Sequence, residues 1–157
     1  MSHRREIWLL LTLLACPASV FAQSMASCCS FVQSFYDNYL RQDPGSANYV
    51  TELRKHPSFF SGELRDGMRD KARLDSDGTI HGFDFDPFLN AQDTDKPYKV
   101  THADISGTTC RAEIASGDIH LRAELELSHH WRFTDFVYLQ GQSEKRLTEL
   151  LRKEALQ

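Results

Sequence analysis

From Ile119 to Leu127 apolar and polar residues alternate without a break: Ile119, Leu121, Ala123, Leu125 and Leu127 against His120, Arg122, Glu124 and Glu126. A period of two is that of a strand with one face buried and one face wet. The same period runs through Thr109–Ala115, where Cys110, Ala112 and Ile114 share a face, and 98–105 reads as another strand. Ser116-Gly117-Asp118 and Ser128-His129 separate the runs as turns. In a last strand Trp131, Phe133, Phe136 and Tyr138 are the apolar positions, and the break in alternation near Asp135 predicts a bulge.

The first half of the chain carries a different period. Val32, Phe35, Tyr36, Tyr39 and Leu40 recur at spacings of three and four, which predicts a helix over 30–40, ended by Asp43-Pro44-Gly45. A short helix is predicted over 47–55, broken by His56-Pro57. A further one over 58–74 turns Phe59 or Phe60, Leu64, Met68 and Ala72 inward, with Gly62 and Gly67 weakening it. A closing helix starts at Ser143 as N-cap and shows Leu147, Leu150 and Leu151. Between 75 and 97 neither period holds. Such a long loop in a compact domain is often functional, and Phe83, Phe85, Phe88 and Leu89 predict that it packs on the body. Helices first and a meander after give an α+β fold: N-terminal helices on a curved antiparallel sheet, a cystatin-like cone with a pocket at its open end and a short C-terminal helix.

The first 22 residues stand apart. Arg4 and Arg5 precede an apolar run over 7–20, and Val20-Phe21-Ala22 offers small residues at a cut site. This is the pattern of a secretory signal peptide cleaved after Ala22, leaving 23–157 as one domain. The run is shorter than the ~20 apolar residues a spanning helix needs, and no second run follows. The address this implies is the periplasm. A lipid anchor on Cys16, in Leu13-Leu14-Ala15-Cys16, is the alternative, and Arg4-Arg5 also occurs in twin-arginine signals.

Removing residues 1–22 from the 157-residue chain leaves 135 residues, enough for one real core. The full chain carries a net charge of −4, and losing Arg4, Arg5 and Glu6 moves it to −5. Mixed charges without a basic stripe argue against nucleic acid. Cys28, Cys29 and Cys110 remain, and an oxidising compartment favours disulfides. Cys110 pairing with Cys28 or with Cys29 would tie the first helix to the sheet; a Cys28–Cys29 bond would be strained, and three free thiols are the other possibility.

No sequence motif fixes a chemistry. Asp75-Ser76-Asp77-Gly78 resembles part of a calcium loop, but Arg73 stands where the first carboxylate belongs and Asp84 where a longer Glu does. No cofactor is implied. Asp84, Asp86, Gln92 and Asp93 crowd one loop and are the candidate binding residues at the mouth of the cone. The histidines at 102, 120, 129 and 130 read as exposed residues of the polar face. Asp135 with Tyr36 and Tyr39 is the set a cone-pocket enzyme would need for acid–base work; a bulge-stabilising Asp135 on the outer face is the competing reading.

Three strings carry a family resemblance: Phe31-Val32-Gln33-Ser34-Phe35-Tyr36-Asp37-Asn38-Tyr39-Leu40, then Asp84-Phe85-Asp86-Pro87-Phe88-Leu89-Asn90-Ala91-Gln92-Asp93, and Trp131-Arg132-Phe133-Thr134-Asp135-Phe136-Val137-Tyr138. Together they resemble the YbjP/YqhG family of bacterial envelope proteins, which has a nuclear-transport-factor-two-like cone. The resemblance implies an exported, binding-type domain, sometimes lipidated, and carries no catalytic residues to transfer. The expected function is therefore a non-catalytic binding or interaction module, with an envelope protein or a small ligand as partner and a small acid–base enzyme as the alternative.

Overall fold

The computed structural model describes residues 18–41, 49–72, 82–92 and 96–154. The alternating runs form a five-stranded antiparallel meander in the order β1 (Lys99–Ser106), β2 (Thr109–Ser116), β3 (Ile119–Leu127), β4 (Trp131–Gln140) and β5 (Ser143–Arg146). Helix α1 (Ala18–Tyr39) lies along β1 and β2. Then come α2 (Tyr49–Lys55), a 3₁₀ turn (Pro57–Phe59) and α3 (Gly62–Lys71), and α4 (Leu147–Glu154) closes the chain. This is the expected α+β architecture of helices on one face of a curved sheet.

Register follows from burial. Opposed pairs Ala112↔Ala123, Ile114↔Leu121 and Ala123↔Phe136 put the apolar members of three strands on the helix side. The other face is a lattice of opposite charges, including Arg122 with Glu113 at 3.4 Å and Arg132 with Glu126 at 2.7 Å. Opposite charges across neighbouring strands steady a sheet, each by a few tenths of a kcal/mol to about 1 kcal/mol.

The bulge falls where the alternation breaks. Leu125 faces Phe133 and Glu124 faces Asp135, so Thr134 is the extra residue on β4. Asp135 stays on the outer face but is buried, and both carboxylate oxygens are engaged. They accept from the Phe136 amide (2.9 Å), the Thr148 amide (3.1 Å), the Thr148 hydroxyl (2.8 Å) and Arg146 Nε (2.9 Å). Asp135 thus caps the first turn of α4 from another strand, where anions are stabilised by unpaired amides.

Two expected elements differ. Ser143 does not cap a helix: 143–146 pair with β4 as β5, and α4 begins at Leu147. The expected helix over 58–74 is two pieces, because Phe60 leaves helical geometry to bridge Phe133 and bury its ring. Ser61, whose amide donates to the Phe133 carbonyl at 2.8 Å, then caps α3 by accepting from the Leu64 amide. Gly67 has a packing reason: a β-carbon there would lie 3.0 Å from Leu151 Cδ1, so the glycine allows α3 and α4 to approach.

Cys28 and Cys110, both fully buried, form a disulfide that fastens α1 to β2; Cys29 is free and half-buried. Gln33 adds a second fastening, donating to the Tyr98 carbonyl (3.0 Å) and accepting from the Val100 amide (3.0 Å). The expected cut after Ala22 falls inside α1, upstream of every described α1 side chain in the core. Among the described residues no helix is long and apolar enough to cross a membrane. The expected lipid site at Cys16 and the calcium-like Asp75–Gly78 string lie outside the described residues.

Candidate functional site

Of the loop that the sequence singled out, residues 82–92 are described, and their central turn packs against α1 and β4. Asp86 begins a tight turn: its amide donates to the Ala91 carbonyl (2.8 Å), and its own carbonyl accepts from the Leu89 (3.1 Å) and Asn90 (2.8 Å) amides. The turn needs one residue at positive φ, and Asn90, at φ 53°, supplies it; Asn tolerates that region better than most non-glycine residues. Pro87, Phe88 and Leu89 are left with carbonyls that point into the protein and have no ladder partner.

Three tyrosines supply the partners. Tyr138 donates to the Pro87 carbonyl at 2.9 Å, Tyr36 to that of Phe88 at 2.9 Å, and Tyr98 to that of Leu89 at 2.7 Å. Three successive buried carbonyls are thus satisfied by hydroxyls from β4, α1 and the entry to β1. A fourth hydroxyl, on Tyr39, donates to the Asp86 carboxylate, whose other oxygen accepts from the Phe88 amide at 2.8 Å. Between these bonds the Phe88 ring enters the core, with ring centroids 5.2 Å from Phe35, 5.3 Å from Phe60 and 5.3 Å from Phe136. The interior beside these tyrosines is therefore filled by the Phe88 side chain of the loop.

The electrostatics follow from that burial. Desolvation, reinforced by Tyr98, Asp86 and Tyr138, raises Tyr36 well above the ordinary tyrosine value. Burial raises Tyr39 and Tyr138 in the same way, with Asp86 adding to both. Asp86 itself is raised by burial, opposed by the hydrogen bonds its carboxylate accepts from Tyr39 and from the Phe88 amide. At neutral pH these hydroxyls are donors, fixed on the loop.

The expected acid–base set does not converge. Asp135 sits on the outer face beneath Arg146 and Thr148, whereas Tyr36 and Tyr39 face the interior and donate to the loop. The histidines at 102, 120, 129 and 130 are exposed. His102 lies 3.2 Å from Asp104, and His130 meets the Ser58 carbonyl at 2.9 Å. Among the described residues no group of His, Cys, Asp and Glu is placed to hold a metal ion.

Of the four candidate binding residues, the structure brings two to one surface. Asp84 is exposed, and the Gln92 side-chain amide donates to its backbone carbonyl at 2.8 Å, clasping the two ends of the turn. Both line a cleft of about 360 Å³ between the loop, β4, β5 and α4. Asn90, Gln140 and Lys145 complete its polar wall, and Phe85, Tyr138 and Leu150 its apolar one. Asp86 turns inward and holds the loop, and Asp93 lies outside the described residues. Lys145, Gln140 and Asn90 were missed as site residues. The one sequence signal for them lay in Asn90 itself, since Asn is among the non-glycine residues that turns most readily place at positive φ.

Comparison with known proteins returns no matching family model, no matching curated protein and no matching solved structure.

Proposed function

We propose that this chain is a binding or interaction module of the bacterial cell envelope, exported to the periplasm, and that it does no chemistry of its own. The observation that carries this reading is the seated loop: Phe88 is fully buried in the core, and Tyr36, Tyr98 and Tyr138, the hydroxyls an interior acid–base site would use, all donate to loop carbonyls. What the loop presents outward is a cleft of mixed amides with one carboxylate and one ammonium. Such a surface recognises by hydrogen bonding and shape.

The N-terminal signal pattern and the Cys28–Cys110 bond support an oxidising address. The resemblance of three strings to the YbjP/YqhG family supports reading the chain as a relative of it, with its nuclear-transport-factor-two-like cone. Each string now has a physical part: α1 supplies Gln33, Tyr36 and Tyr39, the loop supplies the plug, and β4 supplies Phe133, Phe136 and Tyr138. Cleavage after Ala22 would leave the domain unanchored; lipidation at Cys16 would tether it.

The test is affinity capture from envelope extract with the mature chain, compared with Asp84→Ala/Lys145→Ala, which leaves the Gln92 clasp intact. The expected result is a partner retained by the parent chain and lost by the cleft variant at unchanged melting temperature. Equal retention by both would reject the cleft.

A further inference from the structure

We propose that a second groove, between α2 and α3, binds a small amphipathic anion: one anionic head on a short apolar body. The groove measures about 410 Å³, within the roughly 300–1,000 Å³ typical of small-molecule sites, and shares no lining residue with the loop cleft. This goes beyond the reading above, which concerns the cleft alone.

Three of the groove's lining residues are arginines, Arg54 from α2 and Arg65 and Arg69 from α3; the others are Val50, Leu53 and Pro57. Arg65 and Arg69 are four apart on one helix, so their side chains emerge side by side. One carboxylate serves both: Asp66 Oδ1 lies 3.0 Å from Arg65 Nε and 3.5 Å from Arg69 Nη2. Among the described residues, three guanidiniums against one carboxylate leave the groove cationic, on a chain whose net charge is −4. Asp66 also holds Arg65 in position, which reduces the ordering cost of a second anion.

The rest of the wall decides the class. Leu53 is buried, and Val50 and Pro57 extend its apolar surface beside the three forks. A bare inorganic anion would use the guanidiniums and leave that wall empty; a neutral apolar molecule would use the wall and leave the excess positive charge uncompensated. A planar guanidinium matches carboxylate and phosphate oxygens two at a time, so either head satisfies the same groups.

The experiment is amide-shift titration of the full chain with octanoate, phenyl phosphate, inorganic phosphate and 1-octanol. Octanoate or phenyl phosphate is expected to give saturable shifts at Val50, Leu53, Arg54, Arg65 and Arg69, with inorganic phosphate and 1-octanol each at least about tenfold weaker. That factor corresponds to one charge-assisted hydrogen bond. Whichever anion binds tighter identifies the head. Arg54→Gln and Arg69→Gln replace exposed side chains and should each weaken binding about tenfold while leaving melting unchanged. Equal shifts from 1-octanol and octanoate, shifts scattered over the surface, or unaltered binding by both variants would overturn the proposal.

Discussion

Replacing Tyr36, Tyr98 and Tyr138 by Phe removes three hydroxyls and leaves the rings, so packing is held constant while hydrogen bonding is deleted. Each single change strands one buried carbonyl, of Phe88, Leu89 or Pro87, which costs about 1–3 kcal/mol. Additive losses would put the triple variant at roughly 3–9 kcal/mol. The loop has another course, however. It can leave the core, hydrate its carbonyls and expose Phe88, at a cost on the scale of losing a buried Phe, roughly 3–5 kcal/mol. The triple variant should therefore cost less than its three singles summed, because the loop lets go as a unit. Urea unfolding of the seven single, double and triple variants measures this directly. Singles below about 0.3 kcal/mol, or strict additivity through the triple, would show that the hydroxyls do not hold the loop jointly.

Tyr36, Tyr39 and Tyr138 sit above the ordinary value of 10.0, so they stay protonated when the unfolded chain ionises. Their contribution is complete below pH 10 and is lost as pH rises beyond it, each by about 1.4 kcal/mol per pH unit. Absorbance at 295 nm should show these three ionising only together with alkaline unfolding; separate early titration would contradict their burial. Cys28 and Cys110 are 82 residues apart, so breaking the bond should cost about 4.5 kcal/mol, read as a lower guanidinium midpoint under reductant; an unchanged midpoint would count against the crosslink. Asp135→Ala deprives Arg146 and the start of α4 of their acceptor and should cost roughly 3 kcal/mol in thermal unfolding; under about 0.5 kcal/mol would mean the cap is dispensable. Mass spectrometry of periplasmic material is expected to find Gln23 as the first residue, whereas a lipidated Cys16 would replace that reading with a tethered one.

The sheet was legible where alternation was strict. Ile119–Leu127 could bury only one face, and its partners followed. The bulge was legible from one broken alternation at Asp135, but the contact to Thr148 was not, because a cap supplied across strands leaves no local pattern. Ser143 misled for a related reason. A Ser before Leu147, Leu150 and Leu151 looks like a cap, and only the free edge of β4 makes 143–146 a strand. Phe60 defeated the helix period because its partner, Phe133, is far away in sequence. The loop was recognised as packed from its four apolar side chains. Its anchoring was not, since Tyr36 and Phe88 are 52 residues apart and nothing in the spacing joins a hydroxyl to a carbonyl. For the same reason Asp86 read as a binding residue: composition cannot tell a carboxylate facing solvent from one that faces Tyr39.

Everything proposed for the cleft depends on the Asp86–Ala91 turn staying seated in the core. Native-state hydrogen exchange at the Phe88, Leu89 and Asn90 amides tests that seat. The turn should open only with the whole domain, so these amides should exchange with nearly the full unfolding free energy, as the centre of β3 does. Exchange at the rate of an exposed loop, while β3 remains protected, would mean that the mouth opens freely and that the interior is a pocket after all.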